Sequence, residues 1–203
     1  MIHLNERHIH PVSIRSKLDY IIKYLEEVLD RERLLHSLGV YHASLQLAQL
    51  LEVDLEAAAI CGLVHDCARG WTPGRIREIL EESGHFLPKE DITYPGIWHA
   101  QLAAYMLKDV FDIDDTMIDA AVRYHPTGAP RMDRMAKLLF IADYIEPNRR
   151  FDGVDAIRKL VFTDWEAAFG IIMKEKIDHV RTRGKPVHPR ALQALQAYVQ
   201  QEE

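Results

Sequence analysis

The chain reads as all-α, a bundle of roughly eight to ten helices in a single domain, on three observations. Apolar residues recur at helical spacing in nearly every segment, and alternating runs of the strand type are almost absent. Capping side chains, glycines and prolines also punctuate the periodic runs.

The elements follow in order. Residues 14–30, IRSKLDYIIKYLEEVLD, and residues 32–51 carry helical periodicity. Asp54 stands ahead of LEAAAICGLV and opens a third helix over 54–68, with Gly70 as its stop. Thr72-Pro73 ahead of GRIREIL opens a fourth over 73–83, because proline is favoured in the first helical turn. Residues 83–96, SGHFLPKEDITYPG, form the longest stretch without periodicity, read either as a functional lid or as a plain connector. Periodicity returns over 97–110 and 114–124, and the breakers of YHPTGAP (124–130) end the second of these. MDRMAKLLFIADYIEP supplies a helix over 132–147 that Pro147 stops. A helix over 153–161, one over 164–182 capped by Thr163-Asp164, and one over 189–200 complete the set.

At 203 residues and 48% hydrophobic composition, one well-packed core is expected over about 14–182. Residues 1–13, MIHLNERHIHPVS, read as a poorly patterned N-terminal extension. The formal charge of -6 argues against a nucleic-acid partner, which would require clustered Lys and Arg. A small anionic substrate would need local help from a metal or an arginine. No window approaches the ~20 apolar residues of a membrane span, and the N-terminus has no signal-peptide core. A cytoplasmic location is therefore expected, with no membrane partner. Cys61 and Cys67 on one helix would sit about 9 Å apart, beyond disulfide reach. Free thiols suit a reducing compartment.

The histidines divide into two groups. His3, His8, His10, His85, His179 and His188 fall in loops or on polar faces and are read as solvated, and His42 as surface or supporting. His36, His65, His99 and His125 sit in apolar helical surroundings, in RLLHSLGV, GLVHDCA, GIWHAQLAA and AAVRYHPTG. Asp66 follows His65 directly, and Asp143 lies inside LLFIADYIEP, flanked by residues that must be buried. An ionised carboxylate there is costly unless it is paired or binds a cation. Adjacent helix residues point about 100° apart, so a metal lying between their directions can take one ligand from each member of the HD pair. The N and O donor set fits iron, manganese, zinc, cobalt or nickel. Cys67 is read as packing, as are Trp98, Tyr94 and Phe86.

The order His36, His65-Asp66, Asp143 resembles the HD superfamily of metal-dependent phosphohydrolases. HDCAR, WHA, YHPTG and ADYIEPNRRFDGVDAIRKL resemble one branch of it, the bacterial YqeK family of symmetrical diadenosine tetraphosphate hydrolases, over residues 14 to 182. The resemblance implies an HD-domain bundle with two metal ions, iron foremost. His36, His65, Asp66 and Asp143 would hold one ion, and Asp66 would bridge to a second held by His99 and His125. Arg69 stands where the family usually has lysine, and Pro126 where threonine is usual. A guanidinium is a fixed fork suited to two phosphate oxygens.

The implied reaction is cleavage of diadenosine tetraphosphate to two ADP by metal-activated hydroxide, with Asp66 and Arg69 as catalytic residues. Arg69 and Arg149 are the candidates for gripping the phosphate chain, Arg149 being equally suited to an ion pair with Glu146. The expected partner is a small dinucleoside polyphosphate or nucleotide, and the chain is compatible with a homodimer. Three alternatives stay open: an HD phosphatase acting on another nucleotide or small phosphoester, a non-catalytic nucleotide-binding regulator, and a buried hydrogen-bond network without metal.

Overall fold

The computed structural model describes residues 14–201, and among these it contains ten α-helices and no strand. They are α1 (Ile14–Val28), α2 (Arg31–Leu50), α3 (Leu55–Val64), α4 (Pro73–Glu82), α5 (Trp98–Asp109), α6 (Thr116–Tyr124), α7 (Arg134–Ile145), α8 (Val154–Val161), α9 (Trp165–Thr182) and α10 (Pro189–Gln201). The expected N-terminal extension, with His3, His8 and His10, lies outside the described residues. Caps explain where many helices begin: the side chains of Asp30, Asp54, Thr72, Asp115, Asp133 and Asp164 each accept from a backbone N–H of the first turn.

α3 is the hub. Ala57 through Val64 are all buried, because α1, α2, α6 and α7 pack around it. A helix apolar on every side is stable only when it is enclosed in this way. Its nearest neighbour is α2, and the approach depends on Gly62: a Cβ there would meet the Tyr41 Cα at 2.6 Å. α5, α6 and α7 pack in succession, and α9 joins α7 to α8 and α10. Phe140 of α7 and Phe169 of α9 meet edge to face at 5.5 Å inside the core. Each fully buried Leu, Ile or Phe of this core, such as Leu63, Leu139 or Phe140, contributes roughly 1.5–3 kcal/mol.

The observed bounds lie within two residues of the expected ones at every helix except α3. That helix ends at Val64 rather than at 68, and His65 to Gly70 form a turn. The physical reason is local. His65 Nδ1 lies 2.9 Å from the Gly62 carbonyl, so the imidazole takes that acceptor. The backbone then tightens, with Cys67 bonded to Val64, Arg69 to Asp66 and Trp71 to Ala68, each three residues back. Cys61 and Cys67 are free and buried, as expected.

Two further expectations change. His188, read as solvated, is only 5% exposed. The 83–96 segment is pinned at its middle by Asp91, which is fully buried and whose carbonyl accepts from Trp98 Nε1 at 2.8 Å. Trp98 is thus core packing, as read from the sequence, whereas Phe86, also read as packing, is 72% exposed. His42 and His179 are exposed, whereas His85 is half-buried.

Candidate metal centre

Four helix ends and one helix interior bring the polar residues together. His65 and His125 are the C-cap residues of α3 and α6, and they use one device. Each returns Nδ1 to the carbonyl three residues earlier, His65 to Gly62 at 2.9 Å and His125 to Val122 at 2.7 Å. A carbonyl only accepts, so Nδ1 carries the proton and Nε2 presents a lone pair to the centre. His99 lies in the first turn of α5, His36 in the second turn of α2, and Asp143 in the last turn of α7.

The Nε2 atoms converge on Asp66. Its Oδ2 stands 3.9 Å from His36 Nε2 and 3.9 Å from His65 Nε2. Its Oδ1 stands 3.1 Å from His99 Nε2 and 3.5 Å from His125 Nε2, and that oxygen is buried without a hydrogen-bond partner. The two imidazole pairs are themselves close, His36 to His65 at 3.2 Å and His99 to His125 at 3.4 Å between Nε2 atoms. Donor atoms of His36, His65 and Asp66, and again of Asp66, His99 and His125, lie within 4.8 Å of one another. The His65 and His125 lone pairs face one carboxylate in a water-poor site, an arrangement that a cation relieves, so this donor set fits a metal ion in each half.

Asp143 reaches the first half through His36, with Oδ1 3.3 Å from Nε2. Arg149 Nη2 at 2.9 Å and Lys176 Nζ at 3.0 Å also hold its carboxylate. Arg149 makes the ion pair with Glu146 expected of it, Nε to Oε1 at 3.8 Å, and a closer one with Asp143 at 2.9 Å. Arg69 sits at the other end, Nη1 2.7 Å from His99 Nε2 and 3.4 Å from the Gly96 carbonyl, with its side chain exposed.

Glu146 and Lys176 are supporting residues that sequence reasoning missed. Glu146 is 2% exposed, and its Oε1 lies 3.2 Å from His36 Nδ1. Room for it comes from Gly39, where any Cβ would strike the carboxylate. Lys176 Nζ lies between Asp143 and the His125 carbonyl, and above the Phe140 ring at 4.2 Å. Glu146 was legible as a second acid within three residues of Asp143, whereas Lys176 lies in a helix whose charged residues otherwise read as a solvated face.

Electrostatics follow the packing. Burial pushes His65 down to about 3 and His99 down to about 4, keeping both neutral. Burial would also lower His36, but hydrogen bonds to Asp143 and Glu146 outweigh it and push this imidazole up to about 9. Burial alone would raise Asp66, yet His65, His125 and His99 hold it well below the ordinary carboxylate range. Lys176 and then His36 do the same for Asp143.

Beside Arg149 lies an open cavity of about 790 Å³, lined by Gln46, Arg150, Phe151, Asp155 and Phe162 among others. Phe162 is 54% exposed.

Comparison with known proteins adds to this geometry. The family described as HD domain matches residues 33–148. The chain is 32% identical over 168 residues to the symmetrical bis(5'-nucleosyl)-tetraphosphatase of Bacillus subtilis, covering 81% of this chain and 88% of that one. It is likewise 32% identical over 166 residues to the protein of that name from Halalkalibacterium halodurans, covering 81% of this chain and 87% of the relative. A crystal structure from Clostridium acetobutylicum, of an HD superfamily hydrolase described as involved in NAD metabolism, superposes with a TM-score of 0.84 at 36% identity. It spans 90% of this chain and 97% of the other.

Proposed function

This chain belongs to the HD domain family, and from that premise we propose that it hydrolyses diadenosine tetraphosphate symmetrically to two ADP. The observation that carries the chemistry is the convergence of four imidazole Nε2 atoms, in two pairs, on the two oxygens of Asp66. In this reading His36, His65, Asp66 and Asp143 hold one ion, and Asp66, His99 and His125 hold the second. HD hydrolases bind divalent metals, and iron is the proposed occupant. When bound, two such ions neutralise phosphate charge and lower the pKa of a coordinated water toward neutrality.

The protein's own side chains supply fixation and grip. The carbonyls of Gly62 and Val122 fix the tautomers of His65 and His125, and Glu146 orients His36 from behind. Arg69 and Arg149 stand against opposite ends of the ligand set, at His99 and at Asp143. Arg69 is thereby placed to meet one diphosphate half with two donors, and Arg149, whose Nε and Nη2 hold Asp143, offers its remaining donors to the other. That placement suits cleavage at the central bridge: a water oxygen joins one inner phosphorus, the P–O bond breaks, and the second ADP leaves. The cavity beside Arg149 has the volume for one nucleoside half.

Chromatography of products from diadenosine tetraphosphate with metal-loaded protein tests the reading. ADP as sole product is expected, and AMP plus ATP would overturn the symmetrical assignment.

A further inference from the structure

A second buried ionic cluster lies outside the metal centre. Asp91 is fully buried, His188 is 5% exposed and Arg190 7%. Arg190 Nη2 is 2.7 Å from Asp91 Oδ1, and the same guanidinium reaches Glu90. The Arg190 backbone N–H donates to His188 Nδ1 at 3.1 Å, so the imidazole proton resides on Nε2, which stands 3.1 Å from Asp91 Oδ1. The cluster ties the 83–96 segment to the start of α10. Asp91 Oδ2, His188 Nε2 and Arg190 Nη1 remain without hydrogen-bond partners, and an apolar pair would fasten a helix at lower cost.

Its reach explains its place. Trp98 Nε1 donates to the Asp91 carbonyl, and Trp98 immediately precedes His99. The Arg190 guanidinium lies 5.0 Å over the Tyr124 ring, and Tyr124 immediately precedes His125. Tyr94 packs on His188 with ring centroids 4.4 Å apart. The chain neighbours of both histidines facing Asp66 Oδ1 therefore both contact this cluster, Trp98 through the backbone carbonyl of Asp91 and Tyr124 through the Arg190 guanidinium. His36 and His65 are held from elsewhere, by Glu146 and the Gly62 carbonyl.

We propose that Asp91, His188 and Arg190 form a positioning clamp for the His99–His125 half of the centre, setting the affinity of that half for its ion. The inference rests on the two-ion reading above. The clamp acts through Trp98 and Tyr124 and touches no substrate.

The test is titration of the purified full chain with manganese(II) alone, reading ions bound per chain, with far-UV circular dichroism as the control for fold. Wild type should take two ions. Arg190→Met should keep one at wild-type affinity and bind the other on the order of 10- to 100-fold more weakly, the range for lost supporting contacts. Arg190→Lys should recover part of the loss. Arg190→Met leaves Asp91 charged and unpaired, so the double variant Asp91→Leu with Arg190→Met, which removes both charges together, guards against a folding failure. It should show the same selective weakening. Two ions bound at wild-type affinity in the double variant, or both ions weakened equally, would overturn the clamp. A wild-type chain that never takes two ions would instead overturn the two-ion reading.

Discussion

Asp66 Oδ1 stands 3.1 Å from His99 Nε2, buried and without a hydrogen-bond donor, while Oδ2 of the same carboxylate faces His36 and His65. One side chain thus spans both halves of the centre, and the consequences can be measured.

Asp66→Ala should remove both ions and reduce turnover by at least about a thousandfold, since the metals supply the nucleophile and the charge neutralisation together. Helicity should persist, because the core around α3 does not depend on this carboxylate. Metal analysis with circular dichroism reads both, and a variant retaining either ion at full affinity would refute the bridging role.

Glu146→Ala should weaken metal binding or turnover by about 10- to 100-fold, the usual cost of losing a hydrogen-bond partner behind a ligating histidine. Glu146→Gln, which keeps an acceptor for His36 Nδ1, should lose less. Parallel metal titrations of the two variants provide the comparison.

Arg69→Ala should leave metal content unchanged and raise KM for diadenosine tetraphosphate about tenfold or more, as a charge-assisted grip on phosphate is lost. Arg69→Lys should fall between, with a point charge in place of a fork. Steady-state kinetics on metal-matched samples decide it.

Chelated protein should be most stable near neutral pH. His65 and His99 have folded pKa values pushed down to about 3 and about 4, so the unfolded chain binds more protons and stability falls as pH drops below about 6.5. The share from His99 alone is on the order of 3 kcal/mol, lost by about pH 4. His36 runs the other way: with its folded pKa up to about 9, its contribution is complete below about 6.5 and disappears as pH rises through about 9. Urea melts of chelated protein across this range should trace a dome, and a flat profile would contradict these environments.

Gly62→Ala should destabilise the fold by about 1–3 kcal/mol, because the added methyl overpacks the α2–α3 contact. The atoms it would meet are Tyr41 backbone, which cannot rotate away. Thermal denaturation checks this.

Much of the fold was legible because helical signals are local. Periodicity, the Asp and Thr caps and the Pro147 stop act within a turn or two, and the observed helices follow them. α3 escaped at its end because His65 competes for its own helix's carbonyl, a side-chain choice that periodicity does not register. His188 read as solvated because it stands in the loop ahead of α10, and the residues that bury it, Tyr94 and Asp91, are remote in the chain.

By itself the sequence determined the helical architecture and the kind of chemistry. His65-Asp66 and Asp143 in apolar runs already call for a paired group or a bound cation, because an ionised carboxylate is costly to bury alone. Only the tertiary structure decided the arrangement: that Asp66 divides its oxygens between two histidine pairs, that Arg149 turns to Asp143, and that Lys176 and Glu146 belong to the site. Those relations join residues from separate helices, and no local periodicity encodes the distance between side chains that meet only when helices pack.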